Sequence, residues 1–242
     1  PIYEKAGADA KAADTPEKRR GVGIAWGGFN VTEGGGDSAE VALELMPGNK
    51  IRKYDTWHAM GQGATTGSLV VTLEALKEMH LTPEDIQLIQ NDTKTCPDTG
   101  MAGASRSLYM DGNATIIAAN KLLAAMRKED GTLRTYDEMK AEGIETKYLG
   151  RYETNTTPGL CRLDPNTGIG DPTPAFTYCL NLAEVEVDTK TGKTTVLKFT
   201  CVDFVGRIGN IDAVNGQAYS GIMHGIGFAL KEDYADDDTP EE

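Results

Sequence analysis

Two glycine-rich segments about forty positions apart constrain this chain more than anything else in it. They are Met60-Gly61-Gln62-Gly63 and Thr99-Gly100-Met101-Ala102-Gly103-Ala104-Ser105-Arg106-Ser107, and each leads straight into a helical pattern. From Thr66 the apolar residues Leu69, Val70, Leu73, Leu76 and Met79 recur at helical spacing, and Pro83 follows as a stop. From Ala104 to about Arg127 an alanine-rich run carries Ile116, Ile117, Leu123 and Met126 on the same period. Where a glycine-rich turn opens a helix, unpaired backbone N–H groups and the positive end of the helix dipole point at one place. Taken as a pair, the segments read as two halves of one anion cradle, with a phosphate-bearing cofactor as its natural guest. Taken alone, the second is equally compatible with an ordinary helix start.

The rest of the pattern alternates hairpins with helices. The run GVGIAWGG from Gly21, the alternating Val41, Leu43 and Leu45, and the segment from Ile51 to Trp57 predict three strands separated by glycine- and proline-marked turns. Ile86 to Ile89 predicts a short strand, and a short helix is expected near Tyr136. A long loop dense in Gly, Pro and Asp spans about 158–174. The clearest hairpin follows: Leu180 to Val187, a turn at Asp188-Thr189-Lys190-Thr191-Gly192, and a return strand from Thr194 to Val202. A last helix, about Val214 to Leu230, carries Ile222, Ile226 and Leu230. Gly216, Gly221, Gly225 and Gly227 thin one of its faces, which suggests close approach by a neighbour. These features predict an α+β fold, antiparallel sheets layered with helices. The expected divisions are a poorly ordered lead-in over 1–20, a first α+β unit over 21–130 and a second over 131–242.

Composition narrows the function. The 242 residues carry 37 acidic against 24 basic side chains, a net charge of −13, which argues against nucleic acid and anionic membrane surfaces as partners. No apolar run reaches the roughly 18 residues that span a bilayer, and no leader opens the chain, so a cytoplasmic location is expected. Cys96, Cys161, Cys179 and Cys201 lack the spacing of zinc, redox or disulfide frameworks and read as plain thiols. His58, His80 and His224 are too scattered for a metal site, and none is predicted. Gly206-Arg207-Ile208-Gly209 lacks the third glycine of a dinucleotide fingerprint. Ser105 and Ser107 sit in no nucleophile elbow, but as hydroxyls at i and i+2 beside small residues they suit a phosphate. Gln62 and Gln217 are amides in glycine-rich, otherwise apolar surroundings, where a buried amide needs partners.

Four motifs occur in order: Met60-Gly61-Gln62-Gly63, the stretch 97–107, the hairpin from Ala183 to Gly192, and Asn215-Gly216-Gln217 followed by Gly225-Ile226-Gly227. In this combination the chain resembles the second half of the molybdenum-binding region of the xanthine oxidase family, and within it the bacterial aldehyde oxidoreductase branch. The resemblance implies a molybdopterin, in bacterial members usually the cytosine dinucleotide, with Met60, Gly61 and Gln62 near the pterin and phosphates. It places Gly100, Ala102, Gly103, Ala104, Ser105, Arg106 and Ser107 around the pyrophosphate and nucleotide, and Gln217 near the metal. Two departures are visible: Ala102 stands where members often have Ser or Thr, and Met60 where some have His. The family's catalytic glutamate lies in a Gly-x-Gly-Glu type segment downstream of the last helix, so no catalytic residue is assigned in this chain. What the resemblance implies for the whole enzyme is oxidation of an aldehyde or N-heterocycle with oxygen from water. Its partners would be the remaining molybdenum and [2Fe–2S] regions, on the same or separate chains, with a homodimer of the assembly common; FAD is left open. The competing expectation is a non-catalytic binding or assembly module that keeps the fold.

Overall fold

Alternating Val41, Leu43 and Leu45 set the centre of the structure, because a strand with one greasy face must lay that face on a helix or another sheet. The computed structural model describes residues 2–32, 36–154 and 163–233. In chain order the elements are α1 (Ile2–Ala12), β1 (Lys18–Val31), β2 (Ser38–Met46), β3 (Lys50–Asp55), α2 (Ala64–Ala75), β4 (Ile86–Gln90), α3 (Ser107–Met126), α4 (Tyr136–Ala141), β5 (Lys147–Glu153), β6 (Ala175–Asp188), β7 (Thr194–Phe204) and α5 (Ile211–Leu230). Short 3-10 turns join several of them.

The chain divides into two compact units, one formed by residues up to Phe29 with those from Thr177 onward, the other by Asn30–Phe176. This division is discontinuous, whereas sequence order had suggested a boundary near residue 130. It arises because β1 pairs with β6, far along the chain. The first twenty residues also contain a helix and the start of β1 rather than an unstructured lead-in.

In the Asn30–Phe176 unit the sheet order is β4-β3-β2-β5. β2 pairs antiparallel with β3 and with β5, but β3 and β4 run parallel, with Asp55 opposite Gln90. Within the expected α+β arrangement this sheet is mixed, with α2 as the crossover that the parallel neighbours β3 and β4 require. Leu43, Leu45 and Ile51 from the sheet pack with Leu76, Leu122, Met126 and Met139 in a core closed by α2, α3 and α4. A second cluster joins Ala39 and Val41 to Met110 and Ala114 of α3. β5 was not foreseen. Its sequence, KYLGRYE, is mostly polar with a central glycine and gives little strand signal.

Thr135 starts α4 with a reciprocal cap: its hydroxyl accepts from the Glu138 N–H at 3.3 Å, and the Glu138 carboxylate accepts from the Thr135 N–H at 2.7 Å. Replacing Thr135 with Ala is expected to lower stability by about 1 kcal/mol with no change in bound ligand, as measured by urea unfolding.

The other unit contains the sheet β1-β6-β7 and helices α1 and α5. Glycines in β1 make room for β6 side chains: a Cβ at Gly27 would come 3.2 Å from Cys179 Sγ, and one at Gly28 would come 3.3 Å from the Tyr178 ring. Along α5 the expected tight approach is seen at one glycine of the four: a Cβ at Gly227 would lie 2.2 Å from Glu232 Oε1, whereas one at Gly216, Gly221 or Gly225 meets nothing within 4 Å among the described residues. Cys96, Cys179 and Cys201 are free thiols; Cys161 lies outside the described residues.

Candidate functional site

Parallel pairing of β3 and β4 brings the two glycine-rich loops together. Both leave the carboxyl ends of adjacent strands, the first running 56–63 into α2, the second 91–106 into α3. This is the place where open sheets with parallel strands usually bind ligands. At their base the loops lock reciprocally, since the Thr56 N–H donates to Thr99 Oγ1 at 2.9 Å and the Thr99 N–H donates to Thr56 Oγ1 at 3.0 Å. Thr99 Oγ1 also donates to the Glu40 carbonyl at 3.0 Å, tying the second loop to β2.

The two helix starts differ from those of α4 and α5. α4 and α5 are capped by the side chains of Thr135 and Asn210, whereas α2 and α3 begin at Gly63 and Arg106 with no side-chain cap. Gly63 is left-handed, at φ +85°, as are Gly61 and Gly100. Just before α3, Ala104 and Ser105 take φ +47° and +51°, a strained pair for residues with a Cβ. First-turn N–H groups at helix starts that have no side-chain cap among the described residues, behind a strained small-residue loop, fit a phosphate or pyrophosphate oxygen. The residues present are therefore compatible with a molybdopterin bearing a phosphate or nucleotide.

Arg106 is the main revision to the site residues. It is 3 % exposed, and all five of its side-chain N–H donors are engaged inside the protein. Nε and Nη2 grip the Asp37 carboxylate at 2.7 and 2.8 Å, Nη2 also reaches the Ser38 carbonyl at 2.8 Å, and Nη1 reaches the Thr99 and Met101 carbonyls at 2.9 and 2.7 Å. It cannot also grip a ligand, so it shapes the loop instead. Burial would raise the Asp37 pKa, but hydrogen bonds from Arg106 and Thr32 outweigh it and hold the carboxyl below its ordinary value of 3.8. The pair therefore stabilises the fold at neutral pH and is lost only as pH falls below the ordinary carboxylate range. Gly100 is obligatory beside it: a Cβ there would lie 2.7–2.9 Å from the guanidinium. The Gly100 N–H is itself taken by Asp98 Oδ1 at 2.8 Å.

The remaining sequence-predicted residues divide clearly. Met60 is 72 % exposed, and Gln62 folds onto its own turn, accepting from the Met60 N–H and donating to the His58 carbonyl at 3.0 Å. Ala102, Gly103 and Ala104 are half-buried, Ser105 is exposed, and Ser107 is the first residue of α3. Gln217 belongs to the other unit, on an exposed side of α5. Sequence reasoning missed Asp37 and Thr56, which carry no motif; only their contacts reveal them. Among the described residues no group of three His, Cys, Asp or Glu side chains is placed to hold a metal ion.

Residues 2–240 match the family model of the molybdopterin cofactor-binding domain. The chain belongs to that family. An aldehyde oxidoreductase from Megalodesulfovibrio gigas is 38 % identical over 236 residues, covering 98 % of this chain and 26 % of the relative. The crystal structure of the aldehyde oxidoreductase from Desulfovibrio desulfuricans superposes with a TM-score of 0.90 at 40 % identity, covering 98 % of this chain and 26 % of that one. The 6-hydroxypseudooxynicotine dehydrogenase complex subunit gamma of Paenarthrobacter nicotinovorans is 25 % identical over 246 residues, covering 91 % of this chain and 30 % of that subunit. This molybdopterin-binding domain thus has the expected α+β fold and spans about a quarter of the length of the aldehyde oxidoreductases it matches.

Proposed function

We propose that this domain is the cofactor-holding portion of a molybdenum hydroxylase that oxidises aldehydes to carboxylic acids with water as the oxygen source. The observation that carries the reading is the pair of uncapped helix starts, α2 and α3, set side by side at the carboxyl ends of β3 and β4. The 38–40 % identity to aldehyde oxidoreductases favours an aldehyde over an N-heterocycle as substrate. When bound, the molybdopterin supplies the redox chemistry, by which an aldehyde and water become an acid, two protons and two electrons. The part played by this chain is positioning. Ser105, Ser107 and the first turns of α2 and α3 hold the phosphate end, while Met60, Gly61, Gln62, Ala102, Gly103 and Ala104 shape the walls. Gln217 is proposed to face the metal. The phosphate-bearing end is read as a cytosine dinucleotide.

Catalytic groups, [2Fe–2S] clusters and any flavin belong to other regions of the enzyme. Surface chemistry supports such partners: Ile24, Trp26, Val202 and Phe204 lie exposed on one face of the β1-β6-β7 sheet, the kind of patch that marks an interface. A relative described as a subunit of a dehydrogenase complex points the same way. We place the assembly in the cytoplasm as a homodimer. Among the described residues no helix is long and apolar enough to cross a membrane.

The test is elemental and nucleotide analysis of the enzyme purified from its native host. Molybdenum and CMP, each near one per chain, together with aldehyde-dependent dye reduction, are the expected result. Neither metal nor nucleotide would leave the family fold standing and make a non-catalytic module the better reading; turnover of purines but not aldehydes would overturn the substrate class.

A further inference from the structure

Beneath the two loops lies a buried charged cluster that the cofactor reading does not use. Lys53 on β3 is fully buried, with Nζ 2.8 Å from Asp111 Oδ2 on α3 and 3.3 Å from Asp55 Oδ2 on β3. Both carboxylates are also fully buried. Asp55 accepts from Ser68 Oγ on α2 at 2.7 Å and from Gln90 Nε2 on β4 at 2.7 Å. It also accepts from the Trp57 N–H at the head of the first loop, at 3.3 Å. One cluster therefore joins the strands that deliver both loops and the helices that follow them.

Its charges do not balance. One ammonium faces two carboxylates, and Asp111 Oδ1 is buried with no hydrogen-bond partner among the described residues. Neutralising that oxygen with a proton relieves an uncompensated buried charge. Desolvation raises the Asp111 pKa, Lys53 lowers it and Asp55 raises it, leaving it at about 6. Among the described residues no other ionisable group hydrogen-bonds or ion-pairs with Asp111. α2 brings Ser68 and Thr72 to the buried region beside it, β2 packs Ala39 and Val41 against α3, and β5 contributes Gly150 and Tyr152, the latter paired with Tyr109.

We propose that Lys53, Asp55 and Asp111 form a positioning cluster beneath both glycine-rich loops, and that binding of an anionic cofactor at those loops is coupled to uptake of one proton by Asp111. The inference rests on the cofactor-holding reading of the loops. Asp111 lies four residues into α3, about 6 Å along its axis from Ser107. An anion seated at the helix start is then roughly 10 Å from the carboxyl group. Two unit charges at that distance and an effective dielectric near 20 shift an equilibrium by about tenfold. Because linkage is reciprocal, the bound anion raises the Asp111 pKa and protonated Asp111 strengthens anion binding by the same factor.

The experiment uses full-length enzyme loaded with its native cofactor. The rate of nucleotide loss is followed by chromatography from pH 5 to 8, for the wild type and for Asp111→Asn. A dinucleotide's pyrophosphate diester keeps its charge over this range, so the cofactor phosphates do not titrate. Wild type is expected to lose nucleotide about tenfold faster at the alkaline end, with a midpoint at or above pH 6, and D111N to be slow and flat throughout. The infrared band of the protonated Asp111 carboxyl, assigned by its absence in D111N, should titrate about one pH unit higher in loaded than in stripped enzyme. A flat wild-type profile overturns the proposal even if D111N fails to fold; so does a D111N profile that keeps the wild-type slope. If wild type carries no nucleotide, the cofactor-holding reading fails and this inference with it; a loaded enzyme with no pH dependence sinks the coupling alone.

Discussion

Replacing Gly150 with Ala is expected to destabilise the Asn30–Phe176 unit by at least about 3 kcal/mol, beyond the usual effect of overpacking a core. A Cβ at Gly150 would lie 2.0 Å from the Ala114 carbonyl oxygen and 2.5 Å from the Ala118 nitrogen, both backbone atoms of α3. Neither can rotate away as a side-chain tip would. Relief requires α3 to lift off β5, opening the contact that Ala39, Val41, Met110 and Ala114 make beneath it. Since α3 carries the second loop, bound nucleotide should fall together with stability. Urea unfolding of G150A against wild type measures the first and chromatography of released nucleotide the second. A loss below 1 kcal/mol would mean that the helix does not sit this close to the strand.

Arg106 carries the second large effect, and the reason is the fixed geometry of the guanidinium. Its fork meets one carboxylate and three carbonyls at once, so Arg106→Ala leaves Asp37 and the Ser38, Thr99 and Met101 carbonyls without these donors. Breaking a buried ion pair from one side typically costs about 3–5 kcal/mol, and the partly exposed Asp37 places the expectation towards the lower end. A ligand effect should accompany the stability effect, because the loop 99–106 loses the clamp that keeps Ala104 and Ser105 in their strained conformation. Nucleotide retention is expected to fall about tenfold or more, the equivalent of ~1.4 kcal/mol of loop ordering. Arg106→Lys, with three donors on a point charge, should rescue folding better than retention. Equal retention in R106K and wild type would show that the fork geometry is not what holds the loop.

Several elements were legible in the sequence because local chemistry specified them. Periodicity placed α2, α3 and α5 to within a few residues, and alternation placed β2 and the hairpin of β6 and β7. The two glycine-rich turns were recognisable as helix openings because left-handed backbone at Gly61, Gly63 and Gly100 suits glycine above other residues. β5 was invisible: Gly150 looks like a strand breaker until α3 is seen lying against it. The parallel pairing of β3 and β4 was equally hidden, since nothing within either strand names its neighbour.

The candidate site shows the same division. Small residues, glycines and serines at 60–63 and 99–107 give the proposed ligand loops their sequence signal, through residue type and spacing alone. The role of Arg106 is different in kind. A sequence shows a cation beside a phosphate-like loop, where a ligand contact is the natural reading, but whether its donors are available depends on Asp37, 69 positions away, and on three backbone carbonyls. Thr56 with Thr99, and Lys53 with Asp111, depend likewise on partners 43 and 58 positions away. By itself the sequence determined the local conformations and the chemical type of the loops, because these follow from each residue's own backbone freedom and polarity. Only the tertiary structure decided which strands are neighbours, which donors are already engaged and which charges are buried together, because those are set by packing between segments far apart in the chain.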